Sequence, residues 1–197
     1  MNRLYKQSTH YFFTLIALLI SINGYSQCTD CTFTYGNGSS GRVDLNGNQN
    51  ICITGNSTMS LGNVNGSGNK ICIAPGVTWT TSTSMYSGIV IELYGTMKAS
   101  SLSGNGNMII NVHESGKLEF SGSSIPRDFT INNSGVVEFT KNGTITVQAK
   151  INNLTPTSRI LAKAGEATLL QFHQNMVDNY GIIDVMNLEN SDTKGFE

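Results

Sequence analysis

Two carboxylates in matching phrases are the first residues of this chain that could do chemistry. Glu119 lies in Ser115-Gly116-Lys117-Leu118-Glu119-Phe120, and Glu138 in Ser134-Gly135-Val136-Val137-Glu138-Phe139. If the phrases stack, the two side chains become neighbours on one surface. A close carboxylate pair can raise the pKa of one member for acid–base work, or hold a calcium ion. Asp44 and Asp184 occupy the same place in related phrases, and Lys98 occupies it one phrase before Glu119. A Lys98–Glu119 cross-strand pair explains part of this column as a charge-balanced, solvated face. Glu119 and Glu138 are therefore read as a weak acidic ladder, and no catalytic residue is expected.

The four cysteines are the next candidates. Cys28 and Cys31 form a Cys-x-x-Cys, while Cys52 and Cys72 sit in the matching segments Asn50-Ile51-Cys52-Ile53 and Lys70-Ile71-Cys72-Ile73. No βαβ pattern surrounds the Cys-x-x-Cys, which argues against a thioredoxin-type redox site. A zinc site would need all four to converge. Stacked strands lie about 4.8 Å apart, within reach of a disulfide, so Cys52–Cys72 and Cys28–Cys31 are favoured, although three pairings are open. The histidines His10, His113 and His173 are too scattered to suggest a metal site. Segments such as Gly104-Asn105-Gly106 are turns, because no helix follows to make a phosphate cradle. No metal and no cofactor is expected.

The elements that must position these groups are set by a repeat. Gly, any residue, apolar, acid, apolar returns along the chain, and Gly55, Gly76, Gly95, Gly116 and Gly135 open its segments at steps of 21, 19, 21 and 19. A period near 20 with two short apolar runs per period is the signature of stacked β-coils. One apolar column holds Ile51, Ile53, Ile71, Ile73, Ile89, Ile91, Leu93, Ile110, Val112, Phe129 and Ile131. A second holds Met59, Leu61, Met97, Ala99, Leu118, Phe120, Val137 and Phe139. Alternation puts these side chains inward and their neighbours outward. Asn-Gly and Ser-Gly pairs between the runs supply turn residues, and turn asparagines recurring at coil spacing can stack into amide ladders. The expected fold is all-β, a right-handed parallel β-helix of about 20 residues per coil over residues 41–197, the hand following from the bias of parallel crossovers.

Three features strain that pattern. Trp79 is out of phase by one residue relative to its counterparts, which requires a bulge or an outward Trp79. The 46 residues from Gly135 to Gly181 exceed two coils by about six, which suggests a loop protruding at 150–160. Residues 164–179 include a stretch with some helical character, read here as strand.

Composition bounds the partners. The chain has 197 residues, a formal net charge of −1 and 13% charged residues. A surface so nearly neutral lacks the basic field that nucleic acid requires. Residues 1–26 carry Arg3 and Lys6, an apolar run from Tyr11 to Ile22, and small residues Gly24 and Ser26 before a cut. This is the pattern of a secretory signal peptide, and the run is shorter than the roughly 20 residues of a spanning helix. No other apolar run is long enough to span, so no transmembrane segment is expected after its removal. Residues 27–40 read as a cysteine-containing lead-in that covers the first coil.

A signal peptide ending near Ser26-Gln27, a cysteine-rich start and Asn/Gly-rich β-coils together resemble the large secreted surface proteins of the Bacteroidetes type. That resemblance, one of style over residues 1–197, implies a parallel β-helix adhesin, often exported through a C-terminal sorting domain. Repeat proteins need atypical terminal caps, and with no capping motif at Thr193-Lys194-Gly195-Phe196-Glu197 the chain is expected to continue in a longer polypeptide. The expectation is a secreted or cell-surface structural or adhesive module with no catalytic activity, contacting glycans or other surface proteins. One alternative is a carbohydrate-active β-helix enzyme using Glu119 and Glu138. Another is a passive carbohydrate-binding module with Tyr86, Tyr94 and Trp79 aligned on one face.

Overall fold

The alternating apolar runs fold as the rungs of a parallel β-solenoid. The structure, a computed structural model, describes residues 27–84, 88–104, 106–162, 168–172, 177–185 and 187–190. The expected signal peptide, His10, Tyr86 and His173 lie outside the described residues. Strand pairing is parallel throughout. The coils make about seven turns of roughly 20 residues.

Among the described residues, three sheets wrap one core. The first stacks β1 (Phe33–Tyr35), β3 (Asn50–Ile53), β5 (Asn69–Ile73), β7 (Ile89–Leu93), β9 (Met108–Val112), β12 (Phe129–Asn133), β15 (Lys150–Asn153) and β18 (Val177–Asn179). The second stacks β2 (Ser40–Asn46), β4 (Ser57–Asn65), β6 (Thr78–Ser84), β8 (Thr96–Ser103), β10 (Lys117–Phe120), β13 (Val136–Phe139), β16 (Arg159–Ala162) and β19 (Ile182–Asp184). The third holds β11 (Ser124–Ile125), β14 (Gly143–Val147), β17 (Thr168–Phe172) and β20 (Asn187–Asn190). Early coils turn the core's far side by bending long second-sheet strands at register shifts, between Val43 and Leu45 and between Thr81 and Thr83. Later coils turn it with separate third-sheet strands. Both apolar columns are buried, with Ile110, Leu118, Phe120, Ile131 and Phe139 fully so. No single coil closes this core, so stability comes from stacking. The lead-in residues supply β1, which pairs with β3 as the first rung of the first sheet.

The corner between first and second sheets explains the glycines. A Cβ at Gly116 would meet the Leu93 carbonyl oxygen, and one at Gly135 would meet those of His113 and Gly116. Glycine is needed there because the backbone of the preceding coil approaches too closely for any side chain. Gly76 differs. It has φ +73° and sits in the turn Ala74-Pro75-Gly76-Val77, closed by a hydrogen bond from the Val77 N–H to the Ala74 carbonyl. Proline then positive-φ glycine is the sequence of a type II turn. The residue that stacks with Gly95 is therefore Val77, because Thr78 pairs with Thr96. That extra residue brings Trp79 into line with Met97 and turns it inward, 1% exposed, its indole N–H donating to the Met59 carbonyl at 3.1 Å.

One expectation is narrowed and one is corrected. The extra residues expected at 150–160 form a five-residue corner, 154–158, between β15 and β16, which continue the first and second sheets on either side of it. The corner position is taken by Ser158, 23 residues from both Gly135 and Gly181, as the pairing of Arg159 with Val136 and Ile182 shows. The disulfides are Cys28–Cys72 and Cys31–Cys52, not Cys28–Cys31 and Cys52–Cys72. Cys52 and Cys72 do stand side by side on adjacent strands. The Cys-x-x-Cys lies across both strands and gives each one a partner with Cα atoms 5.6 Å apart. A lead-in segment that packs over the strands satisfies four thiols at once, and its cover leaves Cys52 and Cys72 buried although they point outward.

Candidate functional site

Outward side chains form two ladders, one on each large sheet. On the second sheet, Glu119 lies in register with Lys98 on one side and Glu138 on the other. Lys98 Nζ is 3.1 Å from Glu119, as expected. Lys117 was not anticipated. It leaves β10 two residues before Glu119 on the same face, bonds Glu119 at 2.8 Å and also holds Glu138. Burial works to raise the Glu119 pKa, but the hydrogen bonds and charges of Lys117 and Lys98 outweigh it and hold the carboxyl below its usual 4.5. Burial likewise opposes the charge on Lys117, and its bonds to Glu119 and Glu138 outweigh that and raise its pKa. The arrangement keeps Glu119 an ionised acceptor, the opposite of a tuned general acid.

The other members of this acid column are also tied. Asp44 sits at the bulge of β2, where the Asn63 N–H donates to it at 2.6 Å and Arg42 lies at 3.3 Å. That backbone bond, the largest influence, lowers the Asp44 pKa. Asp184 is 3.7 Å from Arg159.

On the first sheet the outward column runs Cys52, Cys72, Glu92, Asn111, Asn132, Asn152 and Asp178. Asn152 Nδ2 donates to Asn132 at 2.8 Å, Asn132 to Asn111 at 2.9 Å, and Asn111 to Glu92 Oε1 at 3.1 Å. Every amide points the same way and the chain ends on a carboxylate, the natural acceptor terminus. The other Glu92 oxygen is 2.7 Å from His113 Nε2, and Lys70 stands 3.9 Å away. His113 stacks on Tyr94 with ring centroids 3.8 Å apart and planes within 7°. Burial, then the Glu92 charge, raises the Tyr94 pKa. A second ladder, Asn133–Asn153–Asn179, runs beside the corner, its first two members fully buried and each link 2.7 Å.

Trp79 is buried, so the expected alignment of aromatics on one face fails for it, and Tyr86 lies outside the described residues. Tyr94 acquires an imidazole partner instead. The signal for that pair was present in the sequence: Tyr94 and His113 each follow the last inward residue of a rung, one coil apart. Glu92 could be found in the same way, as the residue in line with the asparagines. No group of three or more His, Cys, Asp or Glu among the described residues is placed to hold a metal ion. No helix of the described residues is long and apolar enough to cross a membrane. No protein-family model, curated protein or solved structure matches the chain.

Proposed function

We propose that this chain is a structural or adhesive β-solenoid module of a secreted or cell-surface protein, without catalytic activity of its own. The observation that carries this reading is the state of the two repeat carboxylates. Glu119 and Glu138 share Lys117, Glu119 also holds Lys98, and the Glu119 pKa is shifted away from acid catalysis. Both lie on a regular sheet rather than in a cleft, Glu119 partly buried and Glu138 buried with its charge held by Lys117. Two disulfides support an oxidising, extracellular setting, and the low charge density suits a surface exposed to varied neighbours. Glycans or other surface proteins are the proposed partners.

The test is a double replacement, Glu119→Gln with Glu138→Gln, in the full-length protein. Attachment to cells or immobilised glycans should persist at wild-type level. A polysaccharide-cleaving activity present in the wild type and lost in this variant would overturn the proposal in favour of a β-helix enzyme.

A further inference from the structure

The corners of the first sheet alternate in length. At Tyr94-Gly95 and Ser134-Gly135 the chain passes directly into the second sheet. Between them, His113-Glu114-Ser115-Gly116 makes a longer turn, closed by the Gly116 N–H to the His113 carbonyl at 2.7 Å. This four-residue corner lies between two two-residue ones, with Glu114 and Ser115 exposed on it. Beside it lies a hollow of about 450 Å³ lined by Gln27, Tyr94, His113, Glu114, Ser115 and Ser134. Gln27 arrives there through the Cys28–Cys72 bridge, because Cys72 is in register with Glu92 on the next strand.

We infer that this hollow binds one ring of a neutral glycan. The inference rests on the adhesive reading and names its ligand class. Three observations carry it. First, Tyr94 and His113 stand at the hollow as a pair stacked on each other and only partly buried, which gives its wall an aromatic, apolar stretch against which sugar C–H groups can pack. Second, the polar groups are those that read hydroxyls: the Gln27 amide, the exposed Glu114 carboxylate, and the Ser115 and Ser134 hydroxyls. Third, the pair is held before any ligand arrives. Glu92 fixes His113 at 2.7 Å, and the Asn111–Asn132–Asn152 ladder fixes Glu92 in turn. Ser115 is anchored as well, its hydroxyl donating to the Tyr94 carbonyl at 2.8 Å. A site already ordered loses little side-chain entropy on binding. Glu114 also sets the charge preference, since a carboxylate at the rim repels uronates and accepts bonds from neutral diols.

The experiment uses the full chain in its oxidised form. Binding is measured to immobilised gluco-, galacto- and manno-oligosaccharides and to oligogalacturonate. The inference expects at least one neutral series to bind and oligogalacturonate to bind more weakly. Tyr94→Ala should then lower affinity on the order of tenfold, and Glu114→Gln should lower it several-fold and narrow the gap to oligogalacturonate. Glu114 is exposed, so its variant keeps the test usable if Tyr94→Ala disturbs the fold; thermal midpoints check both. Unchanged neutral-glycan affinity in folded variants would overturn the assignment, as would tighter binding to oligogalacturonate. If no neutral glycan binds while the chain still attaches to cells, the hollow is wrong and the adhesive reading stands. If the chain neither attaches to cells nor binds any of these glycans, both fail.

Discussion

At one end of the first sheet the outward column is Cys52 and Cys72; further along the same column it is Asn111, Asn132 and Asn152. The backbone geometry is the same, with parallel rungs in register, but the closure differs. The cysteines are crossed by the lead-in segment and bonded to Cys31 and Cys28. The asparagines bond only to one another and end on Glu92. Both kinds of rung are paired on either side, and the edge strand of this sheet is β1, which carries neither cysteine. The covalent bonds tie the lead-in segment to the two rungs next to that edge strand, and amide ladders link the rungs further along. The asparagine column also has a visible limit. Asn152 Oδ1 is buried without a partner, because the next residue in line, Asp178, has no amide to donate and turns to Lys150 at 2.9 Å.

The sharpest way to break this comparison is to remove the covalent end. The bridges close spans of 44 and 21 residues, and chain-entropy arguments assign about 3–4 kcal/mol to each. Replacing all four cysteines with serine should therefore destabilise the protein by several kcal/mol. Hydrogen exchange should show the loss concentrated in β1, β3 and β5. A non-reduced digest should contain 28–72 and 31–52 linkages; a 52–72 peptide would sink the closure described here.

The corners provide a second contrast. Ser158 stands where other coils carry glycine, and it is accommodated by its own turn, its hydroxyl donating to the Thr155 carbonyl at 2.6 Å. Gly116 has no such room, since a Cβ would meet the Leu93 and His113 carbonyls. Gly116→Ser should cost about 2 kcal/mol through overpacking, measured by denaturant unfolding. A cost near zero would mean that the coils separate readily at the corner.

Smaller effects test the amide column itself. Asn132→Ala cuts it in the middle and should cost about 1 kcal/mol. Asp178→Asn should act in the opposite direction, because an amide there can donate to Asn152 Oδ1. The gain is about 0.5 kcal/mol after the exposed Lys150 pair is lost. Destabilisation by Asp178→Asn would show that the Lys150 pair matters more than ladder continuity.

The second-sheet ladder sharpens the picture through pH. The Glu119 pKa is lowered, so its contribution is present above its usual 4.5 and is lost as pH falls through the lower folded value. The Lys117 pKa is raised, so its contribution is complete below its usual 10.5 and is lost as pH rises through the higher folded value. Glu119→Gln with Glu138→Gln should lower stability near neutrality by about 2 kcal/mol, because Glu138 is buried against Lys117, and flatten the decline in acid. An unchanged acid limb would mean that other carboxylates govern it.

Much of this architecture was legible in the residues alone. Apolar alternation at a period near 20 can be satisfied only by stacked rungs, so the columns through Ile51 and Leu118 and the Lys98–Glu119 neighbourhood followed from spacing. Period-two alternation also told which face the acids would occupy, whereas the amide ladders expected of turn asparagines are found on strand asparagines instead. Other features depended on distances between segments that spacing does not measure. Cys28 and Cys31 bond Cys72 and Cys52 because the lead-in packs over two strands, a docking that no periodicity encodes. Trp79 turns inward because the Ala74–Val77 turn takes up one residue. Ser158 takes a corner position held by glycine in other coils, within a turn whose Thr155 groups bond its backbone and hydroxyl. Lys117 became the bridge between two acids, and Tyr94 the partner of His113, because side chains one rung apart select their contacts by reach and rotamer. The repeat sets which residues stand side by side; the tertiary structure decides which of those neighbours bond.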